Sequence, residues 1–215
     1  MSLTVVATPI GNLGDVTLRA LEVLKAAEII IGEEKREAST FLKRMGIPSD
    51  NLYLLNEHSR EADVRELLDF CKTKNVALIT DCGTPGFCDP GADLVALCRK
   101  NNISVTACPG ASSLMNALML CGARLDRFYF AGFLDRDSEK RKSQLQKLKA
   151  RREPVVVMET PYRWNAFLKD CAVVAPQWKA TLLLDATKPE ERWFQDSVER
   201  LAKIEIEGEG VLILN

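Results

Sequence analysis

Residues 76–91 read Val76-Ala77-Leu78-Ile79-Thr80-Asp81-Cys82-Gly83-Thr84-Pro85-Gly86-Phe87-Cys88-Asp89-Pro90-Gly91. The apolar run Val76–Thr80 predicts a short strand, the Gly- and Pro-rich stretch Asp81–Pro90 a loop, and Asp93–Lys100 a helix. A strand with no polar alternation is buried on both faces, which points to a parallel sheet covered by helices. The same alternation extends outward. Upstream, Leu3–Ala7, Ile29–Gly32 and Leu52–Leu55 predict strands. Thr17–Ala27 and Ala38–Met45 predict helices, the second stopped by Gly46 and Pro48. Glu61–Lys74 predicts an amphipathic helix with Val64, Leu67, Leu68 and Cys71 on one face. Downstream, Ile103–Ala107 predicts a strand that ends before Pro109-Gly110. Strands and amphipathic helices in alternation give an α/β fold.

The second half has a different texture. Ser112–Leu120 predicts an apolar helix and Phe128–Phe133 an aromatic strand. Ser138–Arg152 predicts a basic helix with a thin apolar stripe, Leu145 and Leu148. Val155–Met158, Thr181–Asp185 and Val211–Leu214 predict strands, and Ala166–Val173 a helix. Acidic residues gather between Glu190 and Glu209. These changes place a domain boundary near Pro109–Ala111, giving an N-terminal domain over residues 1–110 and a C-terminal domain over 111–215.

The chain has 215 residues, with 29 Lys and Arg against 30 Asp and Glu, for a net charge of −1. That balance excludes a strongly basic nucleic-acid binder but leaves room for a local basic patch. The sequence contains no apolar run of about 18 residues, so no membrane-spanning helix is expected. The opening Met1-Ser2-Leu3-Thr4-Val5-Val6 reads as the approach to a first strand rather than a secretory leader. Seven cysteines without a Cys-x-x-Cys pair, Cys88 among them, read as reduced thiols of a cytoplasmic protein. With one histidine, His58, and no cysteine pair at zinc-knuckle spacing, no metal site is expected.

Three Gly- and Pro-containing loops each follow a predicted strand: Ala7–Gly14, Asp81–Gly91 and Cys108–Ser113. Ligands of open α/β sheets bind beyond the carboxyl ends of the strands, where glycine allows close backbone approach. Each loop alone is also an ordinary βα turn; three in one sheet favour a shared pocket. The Walker motif, the dinucleotide fingerprint and the hydrolase elbow are all missing, which argues against the nucleotide and hydrolase chemistries they mark.

At this point a resemblance is visible. The run Val5-Val6-Ala7-Thr8-Pro9-Ile10-Gly11-Asn12-Leu13-Gly14-Asp15, continued by Thr17-Leu18-Arg19-Ala20-Leu21, resembles the opening of a methyltransferase family. That family makes a ribose 2′-O-methylation on a cytidine of small-subunit ribosomal RNA, and it belongs to the tetrapyrrole methylase superfamily. Further stretches match in order: Asn56-Glu57-His58, Thr80-Asp81-Cys82-Gly83-Thr84-Pro85 with Asp89-Pro90-Gly91, Pro109-Gly110, Gly132-Phe133-Leu134, Glu159-Thr160-Pro161-Tyr162-Arg163, Thr187-Lys188 and Gly208-Glu209. The chain departs from the family where Glu33-Glu34-Lys35-Arg36 replaces Glu-Asp-Thr-Arg. It departs again where Leu184-Asp185-Ala186-Thr187-Lys188 lacks the usual Arg-Glu. The family also usually continues past the last strand, whereas this sequence stops at Asn215.

The resemblance implies a two-domain α/β fold, with a parallel sheet in the N-terminal domain and a mixed sheet in the C-terminal one. It implies S-adenosylmethionine in a cleft between them, a homodimer, and ribosomal RNA or the small ribosomal subunit as partner. By motif, Pro9 and Gly11 border the acceptor and cofactor cleft, and Asp81, Gly83, Thr84 and Pro85 form a cofactor loop. Ser112 and Ser113 offer contacts at a helix start. Met158, Glu159, Ala186 and Gly210 face adenosine through main-chain groups.

Transfer from a sulfonium to a ribose hydroxyl needs in-line positioning and help in removing a proton. Glu33, Arg36, His58 and Lys188 are the catalytic candidates, with Asp81 a further possible base. Each has a plainer reading: Glu33 with Arg36 as a local ion pair, His58 as a loop or capping residue, Asp81 as a group bonding its own turn. Glu159 and Arg163 are spaced to pair. The basic run Lys140, Arg141, Lys142, Lys147, Lys149, Arg151 and Arg152 reads either as a solvated helix face or as a phosphate-contacting patch. Trp164, Trp178 and Trp193 read as core or interface. Two other functions remain open: methylation of a small molecule such as a tetrapyrrole, and a non-catalytic S-adenosylmethionine-binding dimer.

Overall fold

The computed structural model describes residues 1–87, 89 and 91–215; Cys88 and Pro90 of the second loop lie outside the described residues. The chain divides into two compact units, Met1–Ser112 and Ser113–Asn215.

The first unit alternates strictly, as β1 (Ser2–Val6), α1 (Leu18–Ala26), β2 (Ile29–Gly32), α2 (Lys35–Arg44), β3 (Leu52–Leu54), α3 (Glu61–Thr73), β4 (Asn75–Leu78), α4 (Gly91–Lys100) and β5 (Ser104–Cys108). All strand pairings are parallel, in the order β3-β2-β4-β1-β5. Period-two alternation sends Leu3, Ile29, Ile31, Val76 and Leu78 to one face, against Leu67, Cys71, Leu94 and Cys98 of α3 and α4. Val6, Ile30, Ala77 and Ile79 face the other way, against Ala20, Leu24 and Leu42 of α1 and α2. Leu3, Ile31 and Leu94 have no exposed surface; each such burial contributes about 1.5–3 kcal/mol.

Helix α2 begins at Lys35, three residues before the expected start. The charged cluster there is made of good helix formers, so charge alone does not delay the helix. Helix α1 starts where expected because the Thr17 hydroxyl accepts the Ala20 amide at 3.0 Å.

The second unit contains α5 (Ser113–Leu120), β6 (Tyr129–Phe133), α6 (Ser138–Lys149), β7 (Val155–Glu159), α7 (Trp164–Val174), β8 (Lys179–Leu184), β9 (Arg192–Ser197), α8 (Val198–Leu201) and β10 (Gly210–Leu214). Its sheet runs β6-β7-β10-β8-β9, with β6 and β7 parallel and the other pairs antiparallel. One face packs on α6, α7 and α8 through Leu145, Trp164, Phe167, Leu168, Val198 and Leu201. The other holds Val156, Leu183, Val211 and Ile213 against Ala117 of α5. The expected parallel and mixed sheets are both present.

Three expectations need correction. Strand β9 and helix α8 were not expected. Among the described residues strand β9 pairs only with β8, and its sequence, Arg192-Trp193-Phe194-Gln195-Asp196-Ser197, carries no apolar alternation. Helix α6 stops at Lys149 rather than Arg152; Pro154 restricts Glu153 and so sets only the outer limit of the helix. The basic helix is not simply a solvated face: Arg141 is 4% exposed and reaches Asp170 of α7, Nε donating at 2.9 Å. Of the tryptophans, Trp164 is in the core, Trp178 packs partly buried against it, and Trp193 is 37% exposed.

Candidate active site

In the first unit β1 and β4 are neighbours, and the helices that follow them pack on opposite faces of the sheet, α1 on one and α4 on the other. Ligands of open α/β sheets bind beyond the carboxyl ends of such strands, where the two loops emerge side by side. Here the two loops are tied together. The Thr8 amide donates to the Gly83 carbonyl at 2.8 Å and the Gly83 amide returns a bond to Thr8 at 3.1 Å. The buried Thr8 hydroxyl donates to the Thr80 carbonyl at 3.2 Å. Gly83 has φ +82°, and a Cβ there would lie 3.2 Å from Ile10 Cγ2, so a side chain would be strained and crowded. The Thr84 hydroxyl donates to the Ala111 carbonyl at 3.3 Å, linking the second loop to the third. Pro9 and Pro85 are buried, whereas Gly11 and Thr84 are exposed.

The loop after β2 joins this edge through carboxylates. Glu33 Oε2 accepts the Thr80 hydroxyl at 2.7 Å, and Asp81 Oδ1 accepts the Glu34 amide at 3.1 Å. Asp81 therefore bonds a neighbouring loop rather than its own turn. Burial pushes the Asp81 carboxyl above its ordinary range; the Glu34 amide opposes this, while the charges of Glu33, Glu34 and Glu37 add to it. Among the described residues no ion pair joins Glu33 to Arg36, so the local pair considered for them is not formed. Arg36 is exposed on α2. The Asn56 side-chain Nδ2 donates to the Glu33 carbonyl at 3.4 Å. His58 lies outside this network. Its amide donates to Asn56 Oδ1 at 3.1 Å, and its ring, 84% exposed, stands 3.7 Å from Glu57. Thr8 and Thr80 were not singled out as site residues, although both lie inside the quoted motifs.

The second unit carries its own cluster. Asp185, 8% exposed, sits between Lys188 Nζ and Arg192 Nη2, each at 3.3 Å. Its amide donates to the Glu209 carbonyl at 2.7 Å. Lys188 Nζ also reaches Glu209 Oε2 at 2.8 Å. Burial alone lowers the Lys188 pKa, but the hydrogen bonds and charges of Glu209 and Asp185 outweigh it and hold the ammonium above its ordinary range. A lysine held protonated is a poor base. Asp185 and Thr187 have φ +50° and +66°, values that are costly for a β-branched residue and recur at ligand sites. Between them Ala186 is half-buried. A Cβ at Gly210 would fall 2.9 Å from the Leu183 carbonyl and 3.0 Å from Trp164, so close packing by itself accounts for that glycine.

Met158 and Glu159 end β7. The Glu159 carboxylate is fully buried, and Oε1 accepts the Thr160 amide at 2.7 Å. Arg163 Nη2 lies 3.1 Å from Oε2 but directs its hydrogens to the carbonyls of Leu134 and Asp135. That oxygen has charge neutralisation and, among the described residues, no hydrogen bond, so the carboxylate is tied into the fold rather than presented at the surface. Ser112 and Ser113, both half-buried, precede and begin α5.

The family model of the tetrapyrrole (corrin/porphyrin) methylases matches residues 2–202. A protein of Synechocystis sp. named ribosomal RNA small subunit methyltransferase I is 37% identical over 199 residues, 92% of this chain and 71% of that protein. A protein of the same name in Leptospira biflexa is 33% identical over 216 residues, 99% of this chain and 90% of that one. Among solved structures, diphthine synthase superposes with a TM-score of 0.79 at 16% identity, over 100% of this chain and 89% of that chain. The uroporphyrin-III C-methyltransferase of Thermus thermophilus, complexed with S-adenosylhomocysteine, gives 0.70 at 18% identity, over 100% and 97%. At such identities the two structures speak for the fold. With a family match spanning nearly the whole sequence and relatives above 30% identity over most of both chains, the chain belongs to the tetrapyrrole (corrin/porphyrin) methylase family.

Proposed function

We propose that this protein transfers a methyl group from S-adenosylmethionine to a ribose 2′-oxygen of small-subunit ribosomal RNA. The observation that carries the substrate is its likeness, over nearly its full length, to proteins named for that RNA. The residues present fit the donor. A glycine-permissive loop crossing at Thr8 and Gly83 leaves backbone room, and two half-buried carboxylates suit a cationic ligand. In the second unit the left-handed turn at Asp185 and Thr187 presents main chain suited to adenine.

When bound, S-adenosylmethionine supplies an activated methyl on a positive sulfur. The chain has to orient the acceptor and take its proton. In the first unit, Pro9 and Gly11 are contacts for the acceptor, and Gly83, Thr84, Pro85 and Ser112 contacts for the donor. In the second unit, Ser113 is a further donor contact, and the main chains of Met158, Glu159, Ala186 and Gly210 are the adenosine contacts. Among the base candidates, Asp81 combines position at the crevice with a raised proton affinity, and Glu33 beside it sharpens that effect. Asp81 is therefore the proton acceptor on this reading, Arg36 a contact for the RNA, and Lys188 the cation that fixes the Asp185 turn. The protein works as a homodimer in the cytoplasm, where exposed Met115 and Met119 of α5 are apolar surface for a second copy.

The deciding experiment offers labelled S-adenosylmethionine with small ribosomal subunits lacking the modification, naked RNA, and a tetrapyrrole precursor. Label mapped to a ribose hydroxyl of the subunit RNA is the expected result. Label in the tetrapyrrole alone, or in none of the three, overturns the proposal.

A further inference from the structure

A protein of net charge −1 has no overall field to draw in RNA, so an RNA substrate must be held by locally gathered cations. The structure sorts six of the seven cations in and just after α6 into two groups, Lys140 being an exposed residue of its first turn. Arg141 is buried against Asp170, Lys142 pairs with Glu139 at 2.8 Å, and Lys149 donates to the Val174 carbonyl at 2.8 Å. These three serve the fold. Lys147, Arg151 and Arg152 instead surround two adjoining hollows of about 310 Å³ each, which share Leu148 and Arg151. One hollow is lined by Arg152, Pro154 and Trp178 as well, the other by Tyr129, Gln144 and Lys147.

Arg151 is the pivot. Its guanidinium lies 3.5 Å above the Tyr129 ring, and Nη1 donates to Glu153 at 2.6 Å. Two partners fix the plane of the group while it stays 38% exposed. A guanidinium plane held in this way is a platform on which an unpaired base can stack, with Trp178 as an aromatic wall in the next hollow. A duplex offers its bases only edge-on, so the chemistry selects a single strand. Tyr129 and Val155 begin their strands, whereas Met158 and Glu159 end β7. The hollows therefore lie at the opposite edge of the sheet from the adenosine-facing segment, about 13 Å away at ~3.3 Å per residue.

We infer that this corner of the second unit, Lys147, Arg151 and Arg152 over Tyr129 and Trp178, is a docking surface for a single-stranded segment of the RNA substrate. The inference rests on the RNA reading of the function. Lys147 and Arg152 contact phosphates, and Arg151 carries a base.

The test compares the full chain with the double variant Lys147→Glu/Arg152→Glu, both positions being exposed. A charge-matched control, Lys25→Glu/Lys100→Glu, alters exposed helix ends of the first unit. Kd for naked small-subunit ribosomal RNA is measured across salt concentrations, alongside methyl transfer and calorimetric binding of S-adenosylmethionine. In the double variant Kd for RNA rises about ten-fold and the slope of log K against log salt falls by roughly 1.4, two contacts at ~0.7 each. KM for RNA rises, while kcat, cofactor binding and the control's RNA affinity hold. Unchanged RNA affinity and slope in the double variant, or an equal loss in the control, overturns the inference and leaves the activity standing. Free cytidine monophosphate binding as tightly as the RNA also overturns it. The expected binding pattern without methyl transfer by the parent protein overturns the activity and leaves the surface standing; no RNA binding by the parent overturns both.

Discussion

Two carboxylate clusters, one in each unit, differ in what surrounds them. Glu33 and Asp81, at the ends of β2 and β4, lean on a hydroxyl and a backbone amide, and among the described residues neither has an ion-pair partner. Asp185, in the second unit, is clasped by Lys188 and Arg192. Burial among like charges raises the proton affinity of Asp81; in the other cluster the carboxylates keep the proton on Lys188. The first arrangement can accept a proton during a reaction. The second fixes a turn whose Asp185 and Thr187 are left-handed. On the proposed function the same side-chain type does chemistry in one place and architecture in the other, according to whether a cation stands beside it.

The largest effect that could break this contrast is on turnover. Asp81→Asn keeps an oxygen for the Glu34 amide and removes the base, so kcat should fall by about 10²–10⁴-fold, with S-adenosylmethionine binding measured in parallel. Stability should move the other way. A carboxyl whose folded pKa is raised stabilises the fold below its unfolded pKa and loses that contribution as pH rises through the folded value. At neutral pH the substitution removes an unfavourable ionisation, so the melting temperature should hold or rise. A drop in Tm with unchanged kcat would make Asp81 architectural, like Asp185.

The second effect is on stability alone. Asp170→Ala leaves the Arg141 guanidinium buried without its carboxylate, and the Ser138 hydroxyl loses its acceptor at 3.0 Å. The cost should be about 3–5 kcal/mol in urea unfolding, with kcat of the remaining folded protein unchanged. A loss below about 1 kcal/mol would place this pair with exposed ones.

Much of this was legible in the residues. Continuous apolar runs gave the parallel strands, and Gly and Pro marked the loops where the crevice forms, because both signals are local. What was not legible depends on partners distant in sequence. Arg141 looked like one more cation on a basic helix until Asp170, 29 residues away, buried it. Strand β9 needs only the edge of β8 and leaves no alternation to read. Thr80 gains its role from Glu33, 47 residues away, and the left-handed turn at Thr187 runs against the preference of threonine. The quoted motifs located the loops correctly while leaving open which carboxylate among them is burdened by burial.

The smallest expected effect separates Asp81 from the chain's one histidine. The ring of His58 is 84% exposed and 3.7 Å from an equally exposed Glu57, with only its backbone amide tied into the turn. A surface change of this kind should shift stability by no more than ~0.5 kcal/mol, and His58→Ala should leave kcat within about two-fold. The shape of the pH profile is the sharper reading. If Asp81 takes the ribose proton, activity falls in acid along a limb displaced above ~3.9, the ordinary carboxylate value, and His58→Ala retains that limb. If the histidine takes it, the limb disappears with the ring while Asp81→Asn keeps it. The two variants therefore make opposite predictions about one curve, and the proposed function stands on the limb following Asp81, whose carboxylate bonds the Glu34 amide beside the Glu33–Thr80 pair.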